Sequence, residues 1–502
     1  MIRSEHWRPL GVLILVFAVS RVVAALAGVR FADGYLGWYW QFVDIDLLRN
    51  DLGRSLFYLH AQPPLFNLIV GVVLKLFPGS EAMAFKVLYL GLGVILCSAG
   101  YLVLVTLDVG PRLAAVIMAL FIVGPACLLY ENYLFYTYPT AILLLVAVLP
   151  LVFFLRSGRL GFGVTFFLVL ATICLVRSVY HLVWLVGCLA VVAIGTGATV
   201  SRRRWAAAFL PAFLLVSLVY GKNLLVFGAP SSSTWLGMSL YTMTSRRVDP
   251  SELEALNSQG AISELHEVFS GSGGTTFAPL DEFPEAFRQA AATGVPVLDR
   301  STKQATHPFL GTLVPNFNHL AYIEISRQYW RDSVGVVMAR PSAFFGSVAE
   351  NLALFARPSE SYLRPAWSEN AGRLAPYTKL YGLVFKGSIP EASSVDGVRS
   401  VADRLRGKAY LMVVLVPVSV ICAWRTTRRV ANSEPVVAGA LLFMSFNVLF
   451  TTLVANTLNF GESHRMFFLI EPTLVVLFGV CVGRLWQGRR SGRQKSSRTA
   501  LS

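Results

Sequence analysis

Charge is what this chain has least of. Only 14% of its 502 residues are charged, against 55% hydrophobic, where a soluble domain carries roughly 25% charged residues. With a mean hydropathy of +0.60, this deficit excludes an ordinary water-soluble enzyme and makes each long apolar run a membrane span. Acid is scarcer than base: 28 Asp and Glu stand against 43 Lys and Arg, a net charge of +15. In a soluble protein that excess points to nucleic acid. Here arginines holding cytoplasmic loops inside account for it, and no nucleic acid partner is expected. Cysteine is sparse as well. Cys97, Cys127, Cys174, Cys188, Cys422 and Cys481 all lie in apolar stretches without metal-ligand spacing, and read as small packing residues. A Walker-type loop, a GxGxxG fingerprint after a strand and a zinc pattern are all missing. So are internal repeats, low-complexity tracts and a cytosolic domain able to hold a nucleotide sugar.

What is present is apolar sequence in span-sized pieces. A crossing needs about 20 apolar residues, and roughly 17 can suffice. On that criterion the chain is an all-α polytopic membrane protein of about ten helices, over 9–31, 83–107, 112–129, 139–155, 160–176, 179–199, 205–221, 409–424, 435–455 and 466–486. The first run follows Arg3 and Arg8 and reads as an uncleaved span, being long enough to cross and lacking a separate cleavage site. With the N-terminus in the cytoplasm, Arg112, Arg156 and Arg159, the run Arg202-Arg203-Arg204, the loop of Arg425, Arg428 and Arg429, and the basic tail Arg484 to Arg498 all fall inside. That tail also suits contact with anionic lipid heads. The expected location is the cytoplasmic membrane, crossed many times, with the active side outward.

Three regions follow: an N-terminal transmembrane module, 1–221, with an external loop at 32–82; an external segment, 222–408, mainly helical, with interfacial helices; and a C-terminal transmembrane module with its tail, 409–502. Pro64 to Phe77 is too short to cross and reads as a helix at the outer interface. Residues 284–292 and 319–356 look helical, the latter interrupted at Arg340-Pro341.

Polar residues suited to chemistry lie in the external loops. The first carries Asp44, Asp46 and Asp51, then Tyr58-Leu59-His60-Ala61-Gln62-Pro63-Pro64-Leu65. An acid beside the membrane is either a solvated loop residue, such as Asp46 paired to Arg49 or Arg54, or a general base over a membrane cleft. Glu131 follows the third span and either caps a helix or joins the site. Arg177 is a snorkelling residue at a span end or a phosphate ligand. Arg465 opens a span on the side that the positive-inside trend disfavours, which marks it as functional.

The order of these pieces resembles the GT-C glycosyltransferases, such as the protein mannosyltransferases and the aminoarabinose lipid A transferases. There an aspartate in the first external loop precedes His-Pro-Pro-Leu and an interfacial helix ending in Lys or Arg, an apolar residue and Phe; here His60-Ala61-Gln62-Pro63-Pro64-Leu65 and Leu74-Lys75-Leu76-Phe77 take those places. Two departures stand out. Ala61-Gln62 separates the histidine from the prolines, and Asp44-Ile45-Asp46 replaces the usual Asp-Glu, which leaves open which acid is catalytic. Lys222-Asn223-Leu224-Leu225-Val226-Phe227-Gly228, then Ser231-Ser232-Ser233, resembles the opening of the family's main external loop. Glu462-Ser463-His464-Arg465 resembles its final acid-x-x-Arg.

The resemblance implies an inverting transfer of a hexose or pentose from a polyprenyl-phosphate donor to a glycan, lipid or protein acceptor. Asp44, Asp46 and Glu131 are its candidate catalytic acids, with Asp44 preferred. His60, Gln62, Arg177, Lys222, Asn223, Glu462, His464 and Arg465 are its candidate substrate-binding residues. Asp44, His60, Glu131 and Arg465 are expected to line one outward cleft. No cofactor is implied beyond the lipid-phosphate sugar and membrane lipids; no metal ligand is assigned, and a divalent metal stays open. The competing readings are a transporter or flippase, a surface-glycan polymerase or ligase, and a non-catalytic scaffold. A transporter would show inverted repeats or matched broken spans, and neither is seen.

Overall fold

The computed structural model describes residues 6–308, 311–363, 368–388, 408–431 and 433–499, with side chains given up to Arg484 except at Ala198. The side chains of the basic tail beyond Arg484 therefore lie outside the described residues, as does the 389–407 part of the long segment.

Seven described helices are long and apolar enough to cross a membrane: Trp7–Leu26, Glu81–Thr106, Thr137–Ser157, Arg202–Phe227, Tyr410–Val430, Pro435–Thr457 and Ser463–Arg484. Pro111–Val123 and Pro125–Glu131 make an eighth if taken as one crossing bent by 62°. The bend has a local cause. Pro125 pushes the residue before it out of helical conformation, and Gly124 sits at φ −56° and ψ 142°. Three shorter apolar helices, Pro64–Leu76, Leu160–Val176 and Leu182–Gly195, complete the set. The chain is thus a multi-pass membrane protein. Its apolar surface says the same: Leu15, Val19, Val22, Leu26 and Leu225 are all more than half exposed, which is tolerable only where the solvent is lipid. Pro211 and Pro417 inside long helices fit that setting too.

The basic turns gather at one end of the bundle. Arg484 reaches both Asp108, at 3.1 Å, and Glu434, at 2.8 Å, while Arg156 donates to the Thr106 carbonyl. The Tyr101 hydroxyl donates to the His6 carbonyl, which brings the start of the first helix to that same end.

The opposite end carries the first loop and the long segment, packed on each other. Within the loop, Ile45–Asn50 and Leu52–Phe57 are short helices, and Pro64–Leu76 starts on its own proline. At 13 residues that helix is about 20 Å long, short of a crossing. It buries Phe66, Val70 and Leu74 and leaves Leu68, Val72 and Leu76 exposed. The long segment has its own core, built on Trp235, Met238, Tyr241, Leu253, Leu265, Tyr322, Ile325 and Tyr329. Its helices Ala321–Ala339 and Pro341–Phe355 meet at Arg340-Pro341. Three expectations change. The stretch 284–292 yields only Glu285–Arg288, and an antiparallel pair of strands, Thr302–Thr306 with Leu313–Pro315, interrupts the helical segment. Lys222 and Asn223, read as the opening of the segment, instead sit in the last turns of the helix Arg202–Phe227. That helix stops at Gly228, whose φ of 64° suits glycine.

Candidate functional site

A cavity of about 540 Å³ lies where the first loop, the start of the long segment and the last helices meet. Trp40, Gln41 and Gln62 come from the first loop, Tyr136 from the turn before Thr137–Ser157, and Arg177 and His181 from the turn after Leu160–Val176. Ser231, Ser232, Ser233 and Trp235 come from the start of the segment, and Glu462 and Met466 from the entry to the last helix. Leu182, Val183, Leu236, Val454 and Leu458 complete an apolar side. Val183 and Leu236 are also well exposed, so this side of the cavity is open.

The deep end is cationic. The Arg177 guanidinium stands 4.6 Å from the Tyr136 ring, and that of Arg465 stands 5.7 Å from the same ring. Both side chains are almost wholly buried. Arg465 donates through Nη2 to Glu462, and Arg177 through Nη2 to the Met466 sulfur. In each arginine Nε and Nη1 are buried without any hydrogen-bond partner. A buried N–H is almost always paired, and guanidinium groups are donors only; here two adjacent cations are left short of acceptors by four nitrogens. Arg465 itself lies one layer behind the wall formed by Glu462 and Met466. Burial works against the Glu462 carboxylate, but the neighbouring Arg465 and Arg177 outweigh it and hold Glu462 below the usual range.

Of the other residues singled out in the sequence, Gln62 is brought to the wall, and the rest do their bonding elsewhere. His60 is sealed under the segment. Its Nε2 lies 2.9 Å from the Asn318 carbonyl and so carries the proton, while Nδ1 accepts from the Thr234 hydroxyl. Burial pushes its pKa down to about 3. It is a neutral fastener that ties the loop to the segment, helped by Asn318 Oδ1, which accepts from the His60 and Ala61 amides. Lys222 donates to the Leu59 carbonyl at 2.9 Å, and Asn223 to the Ser231 carbonyl at 2.5 Å; both clamp the loops that shape the cavity. His464 is buried against Tyr362.

Glu131 does not reach the cavity wall. It forms a buried pair with Arg21 at 2.7 Å and accepts from the Tyr138 hydroxyl at 3.1 Å. Asp44 and Asp46 also lie outside the wall. Asp44 precedes the helix Ile45–Asn50 in extended backbone and accepts from the Gln304 amide at 3.0 Å. The two carboxylates share one guanidinium, Arg300, at 3.4 and 3.3 Å. They can share it because Asp44 stands before the helix and Asp46 inside its first turn. Arg49 binds Glu81 instead of Asp46, and Asp46 accepts from Asn50.

Several residues were not singled out: Trp235, Phe277 and Tyr136 in the wall, Arg300 and Lys303 around Asp44, and Arg21. For Arg21 a signal existed, since an arginine within a span needs a partner.

Among the described residues, one group is spaced to hold a metal: Glu254, His266 and Glu267 on the long segment. None of them lines the cavity, and His266 is engaged on both sides, by the Ser263 carbonyl and by Glu254.

Family models, curated proteins and solved structures were all compared with this chain, and none matches it.

Proposed function

We propose that this protein transfers a sugar from a polyprenyl-phosphate donor to an acceptor hydroxyl, with the donor phosphate held at Arg177 and Arg465. The observation that carries this reading is the set of unpartnered guanidinium nitrogens on Arg177, which lines the cavity, and on Arg465, one layer behind it. Arginine binds phosphate oxygens with two parallel bonds, and a lipid phosphate supplies the missing acceptors without leaving the membrane. The apolar side at Val183 and Leu236 gives its tail a route from the bilayer.

In the reaction the acceptor oxygen forms a bond to the anomeric carbon on the face opposite the phosphate. The bond from that carbon to the phosphate oxygen breaks, and the lipid phosphate leaves with the electron pair. The acceptor proton passes to a carboxylate. Glu462 is a poor base, because Arg465 and Arg177 stabilise its charge. Asp44 keeps the role that the resemblance gives it: it stands on the loop that also brings Trp40, Gln41 and Gln62 to the wall, and has to turn from Arg300 and the Gln304 amide toward the acceptor to act.

Counting the bent pair and the 17-residue helix Leu160–Val176 as crossings gives nine, and Leu182–Gly195, 14 residues lengthened by the turn at Gly197–Thr199, makes ten, with the arginine-rich end in the cytoplasm and the cavity outward. Cysteines introduced at Ser270 and Ser157 test this with an impermeant reagent on intact cells: Ser270 should label and Ser157 should not. The function is tested by reconstituting the full chain in vesicles with radiolabelled polyprenyl-phosphate sugars and following release of lipid phosphate. Release that is indifferent to Arg177→Ala would sink the assignment.

A further inference from the structure

The arginines explain only the deep end of the cavity. Its other end is aromatic and neutral. Trp40 and Phe277 stack with centroids 4.9 Å apart and planes 18° apart, and Trp235 meets Phe277 edge-on at 5.3 Å. Trp40 nevertheless keeps 36% of its surface open. Beside it the Gln62 side chain is 7% exposed and lines the cavity, and no hydrogen bond reaches its amide among the described residues. Ser233 spends its proton on the Ala61 carbonyl, at 2.7 Å, and its oxygen accepts from the Trp235 amide, at 3.4 Å.

We infer that this end takes an uncharged sugar, its apolar face stacked on Trp40 and one hydroxyl held by the Gln62 amide. The inference rests on the phosphate reading above and adds the class of sugar. An amide offers two donors and an acceptor and so fits a hydroxyl, which both gives and takes a hydrogen bond. The sparse polar groups among aromatic rings are what fix a ligand's orientation in such pockets. Charged sugars fit badly. A uronic acid finds no cation at the aromatic end, and burying an unpaired charge is costly. An amino sugar meets a wall whose one carboxylate, Glu462, is bound to Arg465; Arg177, Arg465 and Glu462 together carry one net positive charge, which suits phosphate and repels a second cation.

The test uses the purified full chain in detergent and follows tryptophan fluorescence and calorimetry. The probes are farnesyl phosphate alone and its esters with glucose, mannose, galactose, glucuronic acid and glucosamine. At least one neutral ester should bind about ten-fold tighter than farnesyl phosphate, the increment of one stack and one hydrogen bond. The two charged esters should show no such gain. Gln62→Ala and Trp40→Leu should each erode the neutral gain while farnesyl phosphate still binds, which also shows that the variants are folded. A charged ester gaining as much as the neutral ones, or a neutral gain intact in both variants, overturns the inference while leaving the phosphate site standing. Farnesyl phosphate failing to bind, or binding unaffected by Arg177→Ala, sinks the phosphate reading and this inference with it.

Discussion

Charge is buried in two regions of this protein on opposite terms. Near the end of the first helix, Arg21 is saturated. Its Nε and Nη2 bind Glu131, and its Nη1 binds the Ser20 hydroxyl and the Ile122 carbonyl. A second knot lies beside the last helix, where Lys386 is paired to two carboxylates, Glu360 at 2.7 Å and Glu471 at 3.0 Å, and Ser359 donates to Glu471, with Glu360 Oε1 alone left without a partner there. Arg177 and Arg465, equally buried, leave two of their three guanidinium nitrogens bare. The contrast separates architecture from site. A guanidinium that the chain has fully coordinated holds helices together; one left short of acceptors by its own chain is arranged for a partner that comes and goes. Charge in a span marks importance in both cases, and only the bonding tells which kind.

The largest test of this contrast is at the reacting atoms. Asp44→Asn should lower turnover by about 10²–10⁴-fold and leave farnesyl phosphate affinity unchanged, since its carboxylate lies outside the cationic end. Near-normal turnover in vesicles would move the base to Asp46, which shares Arg300. Next comes Arg21→Ala. It strands Glu131 without a counter-charge, and breaking a buried pair costs about 3–5 kcal/mol; thermal unfolding in detergent should show it, with little effect on lipid-phosphate affinity in the protein that remains folded. Arg177→Ala should do the reverse. Loss of a charged hydrogen bond, about 1.5–3 kcal/mol, weakens farnesyl phosphate binding by roughly ten- to a hundred-fold, while stability barely changes because the residue satisfies so little of the fold. Equal destabilisation by both arginine variants would erase the distinction.

Much of the frame was readable from composition alone. Span-length apolar runs need no tertiary information, and Pro64, Pro111 and Pro435 announce helix starts because proline suits the first turn whatever packs on it. Side-chain partners were not readable in the same way. Glu131 and Arg21 are 110 positions apart, and nothing local distinguishes an acid destined for a helix–helix knot from one destined for a cleft. The first loop shows the limit most sharply. His60 carries the motif's most suggestive side chain, yet it bonds inward to Asn318 and Thr234, while the neighbouring Gln62, an apparent insertion, faces the cavity. The strand Thr302–Thr306 was missed because five residues are too few to show alternation among loop residues. With it went Lys303, placed beside Asp44 by the bonds that this strand makes to the first loop, from the Gln304 amide to Asp44 and from Lys303 to the Tyr39 carbonyl.

Lys303 provides the smallest and finest test. It is buried, it donates to the Tyr39 carbonyl at 2.7 Å, and Asp44 is the charged group acting on it. Burial dominates and pushes its pKa down to about 7, with Asp44 pulling the other way. An unfolded lysine titrates near 10.4. Between about pH 7 and that value the unfolded chain therefore holds a proton that the native protein does not, and stability rises with pH across the window. Below it both states are protonated and the cost of burying the ammonium is fully present. Neutral Lys303 still has an N–H for Tyr39, so the gain does not require that bond to break. Unfolding of the full chain in detergent should thus become harder from pH 7 toward 9, and Lys303→Met, which keeps the length and discards the charge, should flatten that rise. An unchanged slope in the variant would mean that the ammonium is paired and charged throughout, with Asp44 as its counter-ion; Asp44 would then stand with the buried pairs, and its role as base would pass to Asp46.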